Sequence, residues 1–382
     1  EITFENGTNT TGEISCQDAI SGTDGDPSET CKLKSTNATC TDDTCNGKTY
    51  THPAFTFGDK ETKGFWIGKF EVSAASEDTV SKMSYDDVSS SKPEVVKLAV
   101  PEILKFSCIY YDGTEDTLCS SIIPLTKPNI YSWRNSRVSD FETVMMQYKN
   151  DDHDYSGWTG LNTTTDTHMI KNSEWGAVAY LSHSKYGTCT DGTCKEIGIN
   201  NNSNYITGCG AIAGSSSSTT CNSYNTETGK LASTTNNIYG VYDMSGGAWE
   251  YVMGNMIYSD GKTMISGYNS KANSGYTGKI YDSGNYTSYT GISYPNSKYY
   301  DKYSFSKSVE ARIRSKLGDG IKEVYKGSSG WYSDHSSLAN SVSPWFVRSG
   351  SYDDGARAGA FFSSADDGYA SFDYSSRLII TP

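Results

Sequence analysis

A chain of 382 residues with 20% charged residues, 29 tyrosines and a net charge of −13 has room for one large domain with insertions or for two domains. The acidic charge is spread along the chain with no basic block or stripe, which argues against a nucleic-acid partner and against docking on anionic lipid, and leaves neutral or cationic surfaces as ligands. Richness in Ser, Gly, Asn, Thr and Tyr suits an extracellular β- and loop-rich protein better than a cytosolic helical enzyme.

Residues 1–50 are polar and cysteine-rich without apolar periodicity, so they are expected to form a small appendage, with a single domain over 51–382. No apolar run is long enough to span a bilayer, and the mature-looking start Glu1-Ile-Thr-Phe4 implies that a signal or anchor precedes this numbering. In GFWIGKFEVS at 64–73, Phe65, Ile67, Phe70 and Val72 predict a buried strand interrupted by Gly68. Helical spacing of Phe141, Val144, Met145 and Tyr148 predicts a helix from Asp140 to Tyr148. A second helix is expected over 169–184, with Trp175, Val178, Ala179 and Leu181 as its apolar face and Asn172-Ser173-Glu174 as its start. Insertions are expected at about 185–236, a surface loop held by cysteines, and at about 258–307, rich in Tyr, Ser, Gly and Asn. Between them, NIYGVYDMSGGAWEYVMGN at 237–255 is the densest island of apolar and glycine residues. Gly240, Gly246 and Gly247 would supply positive φ there, and Tyr242, Met244 and Trp249 the packing bulk. The closing stretch 344–382 has strand-like ends around a loop-like middle.

The ten cysteines fall in close pairs, Cys16 with Cys31, Cys40 with Cys45, Cys108 with Cys119, Cys189 with Cys194, and Cys209 with Cys221. CTDDTC at 40–45 and CTDGTC at 189–194 are nearly repeated turn sequences that can bring their sulfurs together. Five local disulfides are expected in preference to zinc, because the spacings are longer than those of metal knuckles and few histidines lie near. Disulfides in turn imply an oxidising, exported setting.

The order of these islands resembles the formylglycine-generating-enzyme and sulfatase-modifying-factor family. The strand GFWIGKFEVS, the helix NSEWGAVAYL, the island NIYGVYDMSGGAWEYV and the closing RSGSY and SSRLII match its motifs in order over roughly 330 residues. The resemblance implies an α+β, C-type-lectin-like fold of short strands, two helices and long disulfide-tied loops. It also implies a calcium site made from the Asp243 side chain, the Gly246 and Ala248 carbonyls and Glu250. The family's oxidase chemistry is not expected, because it needs a reactive cysteine pair in the C-terminal third and no cysteine follows Cys221. Nor do His52, His153, His168, His183 and His335 form the histidine cluster of the related iron enzymes, so neither copper nor iron is expected and each histidine is read as a surface or core residue. No Gly-x-Ser-x-Gly elbow or phosphate-cradling loop is present, and the acid pairs at 353–354 and 366–367 lie in loop-like context. The chain is therefore not expected to be an enzyme.

Among relatives of this fold, the chain is similar to the variable proteins of diversity-generating retroelements, which end on a hypervariable, loop-rich binding face. Adenine-directed mutagenesis in such proteins does not yield Lys, Glu, Gln, Met or Trp, and none of these occurs from Ser349 to Pro382. Aromatics there alternate with small polar residues, as in antibody paratopes. The expected ligand-binding residues are Tyr352, Asp353, Asp354, Phe361, Ser363 and Ser364, followed by Asp366, Asp367, Tyr369, Ser371, Asp373 and Tyr374. Tyr352, Tyr369 and Tyr374 are expected to be exposed and Phe372 and Phe362 to face the core, with Trp175, Trp249 and Arg348 as framework. The function implied is adhesion or ligand binding by a secreted or surface-displayed protein. Its partner would be a protein or glycan on another cell or on a phage or host surface, and it would be displayed on a pilus, tail fibre or cell envelope. Two other readings stand beside it: an enzyme of this family with altered chemistry, and a structural fibre or pilus subunit.

Overall fold

A computed structural model describes residues 52–58, 60–75, 123–149, 165–215, 222–304, 318–321, 324–325 and 328–381, and short strands at 3–4, 13–15, 32–34, 49–50, 108–109 and 115–116. The fold is mixed α+β, mostly strands, with two α-helices among the described residues. The main strands are β1 (Trp66–Ile67), β2 (Ser73–Ala75), β3 (Ile123–Leu125), β4 (Asp166–Met169), β5 (Trp249–Ile257), β6 (Ile265–Gly267) and β7 (Gly278–Asp282). After them come β8 (Asn285–Tyr289), β9 (Asp301–Ser304), β10 (Trp345–Arg348), β11 (Ser363–Asp366), β12 (Tyr374–Ser375) and β13 (Leu378–Thr381). The helices are α1 (Val138–Gln147) and α2 (Asn172–Ser182).

β5 is the spine. It lies between β9 and β10, with β11 beyond β10 and β12 against its first two residues. Its interior is buried on both faces, as its near-continuous apolar run requires. Alternation along the strand splits the core in two: Tyr251 and Met253 join Trp133, Phe141, Val144 and Met145 on the α1 side, while Val252 and Met256 join Trp175, Val178 and Phe346 on the α2 side. Each helix begins by the same device, a carboxylate three residues on that accepts the backbone N–H before the helix: Asp140 from Arg137 at 2.9 Å and Glu174 from Lys171 at 2.8 Å. The last strand, β13, returns between β4 and β1.

Several sequence expectations need correction. The stretch 64–73 is strand only at β1, where Trp66 is 74% exposed, and at Ser73, where β2 begins, although Phe70 and Val72 are buried. α2 starts at Asn172, the expected start, so 169–171 lie outside it, and 166–169 pairs as β4 with β13. The 185–236 stretch is more than surface loop, since Ile197, Ile199, Tyr205 and Ile206 are buried. Within 258–307, β6, β7 and β8 form a sheet whose Ile265 and Ile280 are buried. In both stretches single apolar residues stand among polar ones, leaving no period to read. Gly246 and Gly247 do adopt positive φ, at 78° and 74°. At Gly240 the reason is space instead, because a Cβ would press on Ser233 and Thr235.

Candidate functional site

The site is built on the turn that precedes β5. Asp243 sits at φ 59°, an unfavourable backbone for a non-glycine residue. Its carboxylate is held by the Asn200 amide at 3.0 Å, the Gly208 N–H at 3.0 Å and the Glu71 N–H at 3.3 Å. Glu71 in turn accepts the Ala248 N–H at 2.9 Å, and a Cβ on Gly247 would collide with its carboxylate, so only glycine fits there. Beneath them Glu250 and Arg377, both fully buried, form a two-pronged ion pair at 2.5 and 3.1 Å. Three buried carboxylates thus face one guanidinium. Burial, reinforced by the charges of Asp243 and Glu250, pushes the Glu71 carboxyl well above its usual range, and burial pushes Glu250 up to about 7. Of the four residues that the resemblance assigns to calcium, Glu250 is engaged by Arg377, Asp243 by N–H donors, and the Ala248 carbonyl by the Ser349 hydroxyl at 3.0 Å. The side chains of Asp243 and Glu250 and the Ala248 carbonyl, three of the oxygen sources that the resemblance would give a cation, are thus hydrogen-bonded within the protein.

The C-terminal segment crosses this turn. Tyr352 N–H donates to the Gly247 carbonyl at 2.8 Å and Trp249 N–H to the Asp373 carbonyl at 2.9 Å, which brings both ends of the segment to one place. Trp249 is half-buried, not wholly framework. Its indole N–H donates to Asp354 at 2.8 Å and its ring lies 5.3 Å from that of Tyr374. Tyr352 meets Tyr205 edge-on at 5.2 Å, and the Arg134 guanidinium stacks on the other ring at 4.0 Å while donating to the Phe372 carbonyl. Asp353 is exposed and takes the Ser351 hydroxyl at 2.7 Å. Tyr352, Tyr369, Ser371 and Asp373 are partly exposed, and Asp373 accepts from Ser371 at 2.5 Å.

Other expected ligand residues are placed differently. Tyr374 was expected on the surface but is buried, because its ring stacks on Tyr251 at 4.5 Å and its hydroxyl donates to Asp366 at 2.6 Å. Asp366 also takes the Tyr251 hydroxyl at 2.7 Å, and burial raises its carboxyl, as it raises that of neighbouring Asp367 to about 7. Asp366 thus braces Tyr251 and Tyr374, while partly exposed Asp367 accepts the Ser343 hydroxyl at 3.1 Å. Phe361 is buried against Trp331 at 4.9 Å, on the α2 side of the core, and Ser363 is buried where β11 pairs with β10. Ser364 is half-buried on that strand beside Ser337, away from the turn at 247. Phe372 was expected in the core and is 56% exposed, while Phe362 is buried. Arg134 and Tyr205, which sequence reasoning missed, brace the face, but neither lies in a motif and only proximity to Tyr352 identifies them.

Among the cysteines, Cys189 is bonded to Cys194 as expected. Cys209 is also disulfide-bonded, to a partner outside the described residues. Cys16, Cys31, Cys40, Cys45, Cys108, Cys119 and Cys221, and His153, lie outside the residues whose side chains are described. His168 is buried on Glu174 at 3.1 Å, and His183 contacts Trp331 and Tyr332. The nitrogen of His183 and the two sulfurs of Cys189 and Cys194 lie within 4.8 Å of one another. Among the described residues no helix is long and apolar enough to cross a membrane. No protein-family model matches the chain, and no curated protein matches it.

Proposed function

We propose that this chain is a ligand-recognition protein of the C-type-lectin-like, formylglycine-generating-enzyme type, displayed at a cell or particle surface and binding through the face around Tyr352, Asp353, Tyr369, Ser371, Phe372 and Asp373. The return of β13 beside β1, which brings the last strand next to an early one, supports the fold assignment. One observation carries the function: accessible aromatic and acidic groups sit on a floor of hydrogen-bonded side chains, namely buried Tyr251 and Tyr374 and partly buried Asp366 and Asp354. Rigid aromatic contacts over a fixed floor lose little entropy on binding, which is the economy of a paratope. Asp353 and Asp373 give the face a negative rim, so its ligands are sugars stacked on aromatic rings or surfaces with lysine and arginine.

The test is binding of the folded protein to arrays of immobilised glycans and lysine-rich peptides, alongside a Tyr352→Ala/Tyr369→Ala variant. Binding by the parent and its loss in the variant is expected. Equal binding by both would move the site elsewhere and remove this face from the account.

A further inference from the structure

The loop that follows α2 carries a second constellation, independent of the recognition face. Thr190 and Thr193 pair across a turn at Asp191-Gly192, which holds Cys189 and Cys194 together at the mouth of the loop. His183, the residue after α2, reaches the same point. Its nitrogen and both sulfurs lie within 4.8 Å of one another, and all three residues are half-buried rather than sealed. The imidazole is fixed from two sides: the ring lies 4.2 Å from Trp331, and Nδ1 is 2.7 Å from the Tyr332 hydroxyl. A hydrogen bond at one ring nitrogen orients the other toward a ligand, as partners of metal-binding histidines do.

We propose that reduction of the Cys189–Cys194 disulfide opens a zinc site whose ligands are the two cysteine thiolates and the His183 imidazole. A thiol or phosphine reductant supplies the two electrons. With a thiol, the Cys189–Cys194 S–S bond breaks, two RSH become RSSR, and each cysteine takes up one proton. Zinc then displaces both protons and binds the thiolates, so oxidised and zinc-bound forms exclude each other. Two thiolates and one imidazole suit zinc, and three protein ligands leave a fourth position for water. Spacing alone obscured this, because His183 lies on the helix side of the loop and only the fold brings it to the cysteines.

The decisive experiment follows alkylation by iodoacetamide residue by residue, in the full chain reduced with a phosphine, with and without zinc sulfate. Peptide mapping separates Cys189 and Cys194 from the other cysteines. Zinc is expected to slow alkylation of both by at least about tenfold, and His183→Ala is expected to lose most of that protection while remaining folded. Should the variant not fold, the parent protein decides alone. Alkylation of Cys189 and Cys194 at the same rate with and without zinc would overturn the proposal, and so would protection undiminished in folded His183→Ala. In the unreduced protein, addition of cobalt(II) should give no thiolate-to-metal absorption, and its appearance at this loop would equally overturn the exclusion of metal by the disulfide.

Discussion

The island 242–256 and the segment 349–375 share a vocabulary of glycine, small polar residues and aromatics, yet they have opposite fates. From Tyr242 to Met256 every residue is buried except half-buried Trp249, whereas from Tyr352 to Asp373 buried and accessible residues interleave. The difference lies in their neighbours. β5 has strands on both edges and a packed core on both faces, while the C-terminal segment runs over the end of that strand and is tied to it at the Gly247 and Asp373 carbonyls. Composition alone therefore does not separate floor from face.

The floor breaks first at Arg377. Arg377→Met leaves Glu250 without its partner beside Asp243 and Glu71, and a loss of about 3–5 kcal/mol is expected, read by urea unfolding. Adding Glu250→Gln should recover part of it. No recovery in the double variant would mean that the pair is not the point of failure. A smaller loss, about 1–2 kcal/mol, is expected for Tyr374→Phe, which removes one of the two hydroxyls on buried Asp366. A change within error would place Tyr374 in the accessible face after all.

A pH series sharpens the contrast. The Asp366 and Asp367 carboxyls are raised by burial, Asp367 to about 7, so between about 4, the unfolded value, and about 7 these two groups hold more protons in the folded chain than in the unfolded chain. Their contribution to stability is therefore expected to fall as pH rises through that window. Asp166, held down to about 2 by Lys149 and Lys298 against the opposing effect of burial, loses its contribution only below about 4, outside it. Calorimetry of the parent and of Asp367→Asn tests this, with a shallower slope expected in the variant. Equal slopes would acquit Asp367.

Much of the frame was legible. The helix at 138–147 followed from Phe141, Val144 and Met145, and Trp175 announced the second helix. The island's burial followed from its apolar density. Harder to read were Ile197, Ile199 and Ile280, single apolar residues whose partners are distant in sequence, and the exchange of roles between Phe372 and Tyr374. A tyrosine with a buried carboxylate to receive its hydroxyl can go inside, and Asp366, eight residues earlier, gives no local sign of being that acceptor. Arg134 was invisible for the same reason, its function being fixed by Tyr205 and the Phe372 carbonyl.

The central claim is that Tyr352, Asp353, Tyr369 and Phe372 form the recognition surface and bear little of the fold. The most direct measurement replaces each with alanine and scores melting temperature and binding to the arrayed ligands separately. Because surface changes stay within about 0.5 kcal/mol, melting shifts of no more than about 2 °C are expected, together with loss of binding in at least the tyrosine variants. Early melting with undiminished binding per folded molecule would contradict the account and make this segment core.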